Sequence, residues 1–463
     1  MRNHIVSRRR LLKSAAAGAA GLVILKQPAS VWSFAANERL NVALVGAGGR
    51  GTWFVNTIPK IANLVALCDV NEARARQSYE RLPDTPKFPD FRKMLDDMDQ
   101  QIDAVVCATA DHTHAIITMT AMKRGKHVFT EKPLTHNVKE SRALREAAAK
   151  YKVATQMGNQ GTSSEAFRRC VELIQAGSFG EIRQVHVWNA VGGRGHTQAP
   201  TERPPVPPTL HWDLWLGPAA ERPYHPYWLG WLYWRDFGTC MLGNFAPHTM
   251  NLTFMALKLN SLWYADGGDA TREQRIIKVT AKVPQINRIG FPRWEIIHYD
   301  FPARGDLPPL RLSWTNGYDA EGIRPMLEDL MGRPLDWVDT GQLAGKDFAG
   351  CLLIGSKAQL HTTSHNMQYT ILKDRKPAEV DDAPRTLPRS PGHELEWLAA
   401  CKGGPPAMSN FDYSGPLSEM NLLGNVATQF EGTLEFDPVH CKIVNNPAAD
   451  AALGREVRKG WEL

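Results

Sequence analysis

The stretch Leu40-Asn41-Val42-Ala43-Leu44-Val45-Gly46-Ala47-Gly48-Gly49-Arg50-Gly51 limits the fold more than any other part of this 463-residue chain. A short apolar run ends directly in Gly-x-Gly-x-x-Gly, and a helix-compatible stretch from Thr52 to Ile58 follows. A strand before the glycines and a helix after them is the context that makes this motif a dinucleotide-binding turn. Gly46 allows the tight turn, Gly48 lets the backbone approach a pyrophosphate, and Gly51 lets helix and strand pack closely. Gly49 and Arg50 complete the turn, and the first N–H groups of the helix face the phosphates. A second apolar run, residues 63–68, ends in Asp69, eighteen residues past Gly51. A carboxylate there accepts hydrogen bonds from the adenosine ribose hydroxyls. Asp69 repels a 2′-phosphate, which favours NAD over NADP, although Arg74 and Arg76 stand close by on the next helix.

The rhythm continues. AVVCAT (104–109) precedes HAIITMTAMKRG (114–125), HVFTEK (127–132) precedes VKESRALREAAAKY (138–151), and VATQMG (153–158) follows. Strand–helix alternation of this kind builds a doubly wound parallel sheet. The formal charge of +6 is carried by six basic residues within 1–36, where no acid occurs, so the remainder is neutral. No aromatic-interleaved basic patch speaks for nucleic acid. The seven cysteines show no CxxC or Cys/His spacing for zinc. Cys68 and Cys107 sit in apolar runs as small buried hydrophobes. Neither a disulfide framework nor a metal is expected.

Ser7-Arg8-Arg9-Arg10-Leu11-Leu12-Lys13 fits a twin-arginine signal, with Leu11 where Phe is commonest. The Ala/Gly-rich run from Ala15 to Leu25 is too short to span a bilayer core of about 30 Å. Ser33-Phe34-Ala35 offers a cleavage site. The expectation is an export signal over 1–36, read by the twin-arginine machinery, and a periplasmic or otherwise exported mature protein free of the membrane.

At His127-Val128-Phe129-Thr130-Glu131-Lys132-Pro133-Leu134 the sequence resembles the Gfo/Idh/MocA oxidoreductases, the glucose–fructose oxidoreductase and inositol dehydrogenase group. Thr109-Ala110-Asp111-His112-Thr113-His114 resembles their Thr-Pro-x-x-x-His turn, with Ala110 in place of proline. Gly177-x-x-Gly180-Glu181-Ile182 resembles the entry to their second domain. MGNQG (157–161), DLWLGPA (213–219) and SNFDYSGPLSE (409–419) resemble an exported branch of the family. The resemblance implies an α/β protein, with an NAD-binding Rossmann domain over 37–158. A second α/β domain over 159–445 carries a large, mostly antiparallel sheet, builds the substrate pocket and often makes oligomer contacts. A tail, 446–463, follows. Strand-like runs at 182–188, 275–281, 294–299 and 310–314 agree with such a sheet.

The resemblance places Thr109, His112, His114, Glu131, Lys132 and Gln160 along the cofactor, with Asn159 near the point where substrate meets it. Oxidising a carbinol needs a base for the hydroxyl proton. Lys132 is the candidate, because burial near a positively charged nicotinamide lowers an ammonium pKa. Strand neighbours face opposite ways, which separates Lys132 from Glu131. The family's Asp-x-x-x-His pair falls on Asn244 and His248, on one helical face. Asn244 can orient the imidazole without raising its basicity, which puts His248 in doubt as a proton shuttle. Asn251 stands where a second aspartate is frequent, and Pro247 suggests that the helix starts near His248. The aromatic stretch 225–234, with Trp212 and Trp215, is either a platform for sugar rings or packing. His393-Glu394-Leu395-Glu396-Trp397 reads as an amphipathic helix.

An exported enzyme has no NAD pool to exchange with, so its NAD must be tightly bound and restored in each cycle. The expected function is a homo-oligomeric oxidoreductase moving hydride to and from a hydroxyl or ketone of a sugar. Two alternatives stay open: an NAD-dependent glycosidase acting through a transient keto-sugar, and a non-catalytic carbohydrate-binding relative.

Overall fold

The computed structural model describes residues 39–264, 273–318, 320, 322–337 and 345–463. The expected export signal lies outside them. Residues 39–463 form one compact unit holding two sheets.

The first sheet has six parallel strands, β1 (Asn41–Val45), β2 (Asn63–Cys68), β3 (Lys87–Phe88), β4 (Ala104–Cys107), β5 (His127–Thr130) and β6 (Thr155–Met157). Their order is β3-β2-β1-β4-β5-β6. The central strands β1 and β4 are buried along nearly their whole length, which is why they read as continuous apolar runs. The order reverses between them, so the crevice for a ligand opens beyond their carboxyl ends. Helices Gly51–Ile61, Glu72–Arg81, Asp111–Lys123 and Val138–Tyr151 connect the strands. The last is typical of how the sequence sets them. The Asn137 side chain caps it by accepting the Glu140 N–H at 3.0 Å. Val138, Leu144 and Ala147 form its buried stripe, and Lys152 ends it in the left-handed region at φ 54°.

The second sheet has ten strands: β7 (Ile182–Asn189), β8 (Ile277–Lys282), β9 (Glu295–Phe301), β10 (Leu310–Asn316), β11 (Ala349–Gly355), β12 (Gln359–Thr363), β13 (Tyr369–Lys373), β14 (Lys376–Pro377), β15 (Thr433–Asp437) and β16 (Lys442–Ile443). They run in the order β14-β13-β12-β11-β7-β10-β9-β8-β15-β16. All neighbours are antiparallel except β7 and β10. The expected α/β class, a parallel Rossmann sheet plus a large mostly antiparallel one, is therefore found, and the four strand-like runs read from the sequence fall on β7, β8, β9 and β10.

Between the sheets runs the helix Phe411–Ala427, buried on nearly every side and packed on Val138–Tyr151. Asn410 caps it through the Asp412 N–H at 2.9 Å. Its Glu419 is wholly buried and held by Arg142, with both carboxylate oxygens at 2.8 Å, and by the Trp263 indole N–H at 2.8 Å. The final segment is not loose. Pro447–Ala451 is helical, and Trp461 is buried against Phe91 with Arg92 over its ring at 4.4 Å.

Candidate active site at the end of the parallel sheet

β1 runs into the glycine turn, where Gly46 has φ +88°. A Cβ on Gly46 would stand 2.5 Å from the Ala108 carbonyl oxygen, and one on Gly51 would stand 1.8 Å from that of Gly46. Both positions need glycine because three backbone segments meet there. The Gly48 N–H donates to Asp69 Oδ2 at 2.8 Å, and the Asn71 N–H donates to Oδ1 at 2.8 Å. Asp69 is thus fixed with acceptor capacity left on each oxygen, as two ribose hydroxyls require. Burial raises its pKa, while these N–H groups and Arg74 pull the other way. The adjoining cleft encloses about 1040 Å³ with its mouth, and Gly46, Gly48, Asp69, Arg74 and Thr109 line this side. A Cβ on Gly48 would stand 2.8 Å from the Arg74 carbonyl oxygen, so glycine also keeps this wall clear. The cradle fits the adenosine and pyrophosphate of a dinucleotide.

Glu131 and Lys132 lie beyond the end of β5 at Thr130, so strand alternation is not what separates them. They part because each has its own partner. Glu131 Oε1 accepts from Arg50 Nε at 2.7 Å. Lys132 Nζ donates to Asn244 Oδ1. Burial lowers the Lys132 pKa; Glu131 and Asp111 oppose the shift, and Arg50 adds to it. Asp111 is itself buried, accepting from the Thr239 hydroxyl at 2.5 Å. Burial pushes its pKa up to about 7 against the Thr239 hydrogen bond and the charge of Lys132. Gly243 has no Cβ to strike Pro133, whose Cγ would lie 3.0 Å away, so the Asn244 helix can reach Lys132.

Asn244 and His248 do not lie on one unbroken helix. The chain breaks at Phe245 into two short helices, Cys240–Asn244 and Ala246–Thr249. Pro247 sits in the first turn of the second, where its missing N–H costs no hydrogen bond. That helix starts at Ala246, before the expected His248. Asn244 therefore orients Lys132 rather than the imidazole. The His248 ring lies 4.3 Å from that of His365, tilted by 41°. Its Nδ1 is buried without a hydrogen-bond partner among the described residues. Burial holds its pKa well below the ordinary range, and His365, Lys132 and Arg50 deepen the shift.

His365 is a site residue that sequence reasoning missed. It sits on the turn between β12 and β13, with Nδ1 and Ser364 Oγ 2.9 Å apart. The next residue, Asn366 (φ +56°), donates to the His248 carbonyl oxygen and accepts from the Thr362 hydroxyl at 2.6 Å. A Cβ on Gly161 would come within 2.1 Å of the His365 carbonyl oxygen, so MGNQG brings the end of β6 against this turn. Burial, Lys132 and Arg50 lower the His365 pKa. A buried amine and two imidazoles kept neutral thus share one neighbourhood. Such groups can take a hydroxyl proton and give it back.

The family model for "Oxidoreductase family, NAD-binding Rossmann fold" matches residues 40–159. Over these residues the chain carries the NAD-binding Rossmann domain of the Gfo/Idh/MocA oxidoreductases. Among curated relatives, the myo-inositol 2-dehydrogenase of Thermotoga maritima is 27% identical over 173 residues, which are 37% of this chain and 47% of that protein. The NAD(+)-dependent scyllo-inositol 2-dehydrogenase of Bacillus subtilis is 31% identical over 148 residues, 31% of this chain and 42% of that protein. The chain thus spans under half the length of these relatives. Solved structures match further. A levoglucosan dehydrogenase in complex with NADH and L-sorbose has a TM-score of 0.56 at 15% identity, covering 86% of this chain and 99% of that one. An inositol dehydrogenase homologue from Azotobacter vinelandii, complexed with NADH and myo-inositol, gives 0.51 at 18% identity, covering 85% and 89%. These two share the fold.

NAD is the cofactor of this Rossmann domain, and the other residues singled out in the sequence lie as follows. Thr109 and His112 line the cleft. His112 Nε2 donates to the Trp215 carbonyl oxygen at 2.8 Å, its Nδ1 is buried without a partner among the described residues, and burial lowers its pKa to about 3. His114 faces inward. Its ring nitrogens lie 2.7 and 3.1 Å from the carbonyl oxygens of Pro133 and Thr109, so it braces two cleft segments instead of lining the cleft. Gln160 Oε1 is buried without a partner among the described residues. Asn159 is spent on Ser409 and on the Pro247 carbonyl oxygen, and Asn251 on Tyr413 and Thr162. Within the aromatic stretch, Trp228 and Trp234 are buried, and Leu229 and Trp231 line the dinucleotide cleft. His393–Cys401 is a packing helix, with Trp397 in the core.

Proposed function

We propose that this chain is an exported enzyme that oxidises and re-reduces a secondary alcohol of a carbohydrate while keeping its NAD. The observation that carries the reading is Lys132, its basicity lowered by burial and its Nζ directed by Asn244, beside the neutral pair His248 and His365. The sugar and polyol dehydrogenases among its relatives support the substrate class. The twin-arginine pattern at residues 7–13 supports export.

Bound NAD supplies two-electron redox chemistry at a carbinol carbon. The Gly46–Gly51 turn and Asp69 hold its adenosine and pyrophosphate. In its deprotonated form Lys132 donates one N–H to Asn244 and keeps its lone pair for the substrate hydroxyl. It takes that proton as the alcohol is oxidised and returns it as the ketone is reduced. His248 and His365 offer a ring N–H or lone pair to neighbouring hydroxyls without placing further positive charge in the pocket.

The test is to denature the natively purified protein, identify any dinucleotide released, and titrate the native protein with sugars and polyols. The expected result is stoichiometric NAD, with reduced-nicotinamide absorbance appearing on addition of a substrate and disappearing with an acceptor ketone. Protein that carries no dinucleotide and ignores added NAD would remove the proposal.

A further inference from the structure

An open parallel sheet offers a dinucleotide one wall, formed by the loops beyond its strands. This chain has a second wall. Opposite the glycine turn and Asp69, the same cleft is lined by Leu214, Trp215, Leu229, Trp231 and Trp461, all outside the parallel-sheet segment. The lining on the sheet side includes Asp69, Val70, Asn71, Arg74 and Pro89, at the β2–β3 edge. Lys132, Asn244 and His248 are absent from that lining, whereas Asp69, the ribose-binding candidate, is part of it.

The wall is tied down along its length. The Glu72 N–H donates to the Thr209 carbonyl oxygen at 2.9 Å, and the His211 N–H to that of Val70 at 2.9 Å. His112 Nε2 holds the Trp215 carbonyl oxygen, and the Trp234 indole N–H reaches the Tyr227 carbonyl oxygen at 2.8 Å, fixing the turn that carries Leu229 and Trp231. Arg458 bonds the Gly217 carbonyl oxygen at 3.0 Å and the Asp213 carboxylate. Within this cluster Trp215, Trp228 and Trp234 are buried, whereas Trp231 keeps an accessible surface on the cleft.

We infer that Trp231, presented by this anchored segment, is a binding residue for the adenine base, and that it closes the cleft so that the dinucleotide leaves slowly. The inference rests on the proposed NAD-retaining reading and names how retention is achieved. A flat indole face beside a ribose-binding carboxylate suits a purine, since every base offers a π-face. Residues 209–234 are held against Val70, Glu72 and His112, so the indole needs no rearrangement to meet the base.

The experiment compares wild type, Trp231→Ala and Trp231→Phe, each purified with its dinucleotide. Loss of NAD is followed during dilution into a scavenging enzyme, and ADP-ribose binding to the emptied proteins is measured by calorimetry. The expected result is that Trp231→Ala loses NAD roughly 10- to 100-fold faster than wild type and binds ADP-ribose more weakly by a similar factor. Trp231→Phe stays near wild type, and the melting temperature of emptied Trp231→Ala is unchanged. If wild type holds NAD and Trp231→Ala holds both ligands equally well, this inference fails alone. If wild type binds neither ligand, the functional proposal fails with it.

Discussion

Lys132 and Asn244 stand 112 positions apart and meet Nζ to Oδ1, at the point where the segment after β5 touches the first of two short helices in the second domain. An amide oxygen steadies an amine without adding a charge that would hold its proton. A carboxylate at the same place would do both.

Asn244→Asp should therefore raise the Lys132 pKa and move the rising limb of the pH–rate profile to higher pH. Glu131→Gln should move it the other way, because Glu131 favours the protonated amine. Profiles of kcat/KM for both variants check the pair. Unshifted limbs in both would place Lys132 outside the proton path.

Removing the amine is a harsher test. Lys132→Ala should lower kcat about 10²- to 10⁴-fold, the usual contribution of a positioned acid–base group. The dinucleotide should stay bound, since the cradle from Gly46 to Asp69 does not include Lys132. Single-turnover reduction of the bound NAD reads the first quantity and acid release of the dinucleotide the second.

The cradle was legible because its signals are local: an apolar run, glycines at fixed offsets, and a carboxylate at the end of the next strand. Four of the ten strands of the second sheet, β7 to β10, were legible as apolar runs; the other six were not. His365 was not. It faces His248 because Asn366 and Gly161 bring the β12–β13 turn to the end of the parallel sheet, and nothing near residue 365 announces that. The Asn244–His248 spacing did not announce that the Asn244 amide is taken by Lys132, because that partner lies 112 positions away in the sequence. The motif 409–419 was recognised without a reason. Its reason is Glu419, a buried anchor for Arg142 and Trp263.

His365→Phe keeps a ring against His248 and removes the nitrogens. If His365 contacts the substrate hydroxyls, KM should rise and kcat fall while NAD stays bound. The expected loss in kcat/KM is about tenfold to a hundredfold, as for one or two hydrogen bonds within the site. A change in melting temperature alone, with unchanged kinetics, would reduce His365 to a packing residue.

The buried imidazoles give stability a pH signature. His112 has a folded pKa of about 3 against an unfolded value near 6.5. Its contribution is fully present above the unfolded value and is lost as pH falls toward the folded one. Asp111, raised to about 7, acts in the opposite sense: its contribution is present below the unfolded carboxylate value and is lost as pH rises through 7. A difference measurement isolates the histidine. His112→Gln keeps a donor for the Trp215 carbonyl and cannot titrate, so its stability relative to wild type should improve by about 1.4 kcal/mol per pH unit below about pH 6.5. Urea unfolding of both proteins between pH 7 and 5, values chosen to span roughly the unfolded histidine pKa, reads this slope. Parallel curves would refute it.

The position of Asp69 beside the glycine turn predicts which dinucleotide the cradle accepts. Its oxygens hold the Gly48 and Asn71 N–H groups and keep capacity for ribose hydroxyls, and its charge repels a 2′-phosphate. Arg74 lies against the same turn; a Cβ on Gly49 would stand 2.9 Å from its Nη2. Removing the carboxylate strips two hydrogen bonds from NAD and loosens Gly48, yet it leaves that guanidinium available to a phosphate. Asp69→Ser should therefore weaken NAD by about 1–3 kcal/mol, tenfold or more, while NADP binding holds or improves. Calorimetry with both dinucleotides on the emptied protein measures the ratio. Equal losses for the two would mean that Asp69 shapes the turn and reads nothing of the ribose.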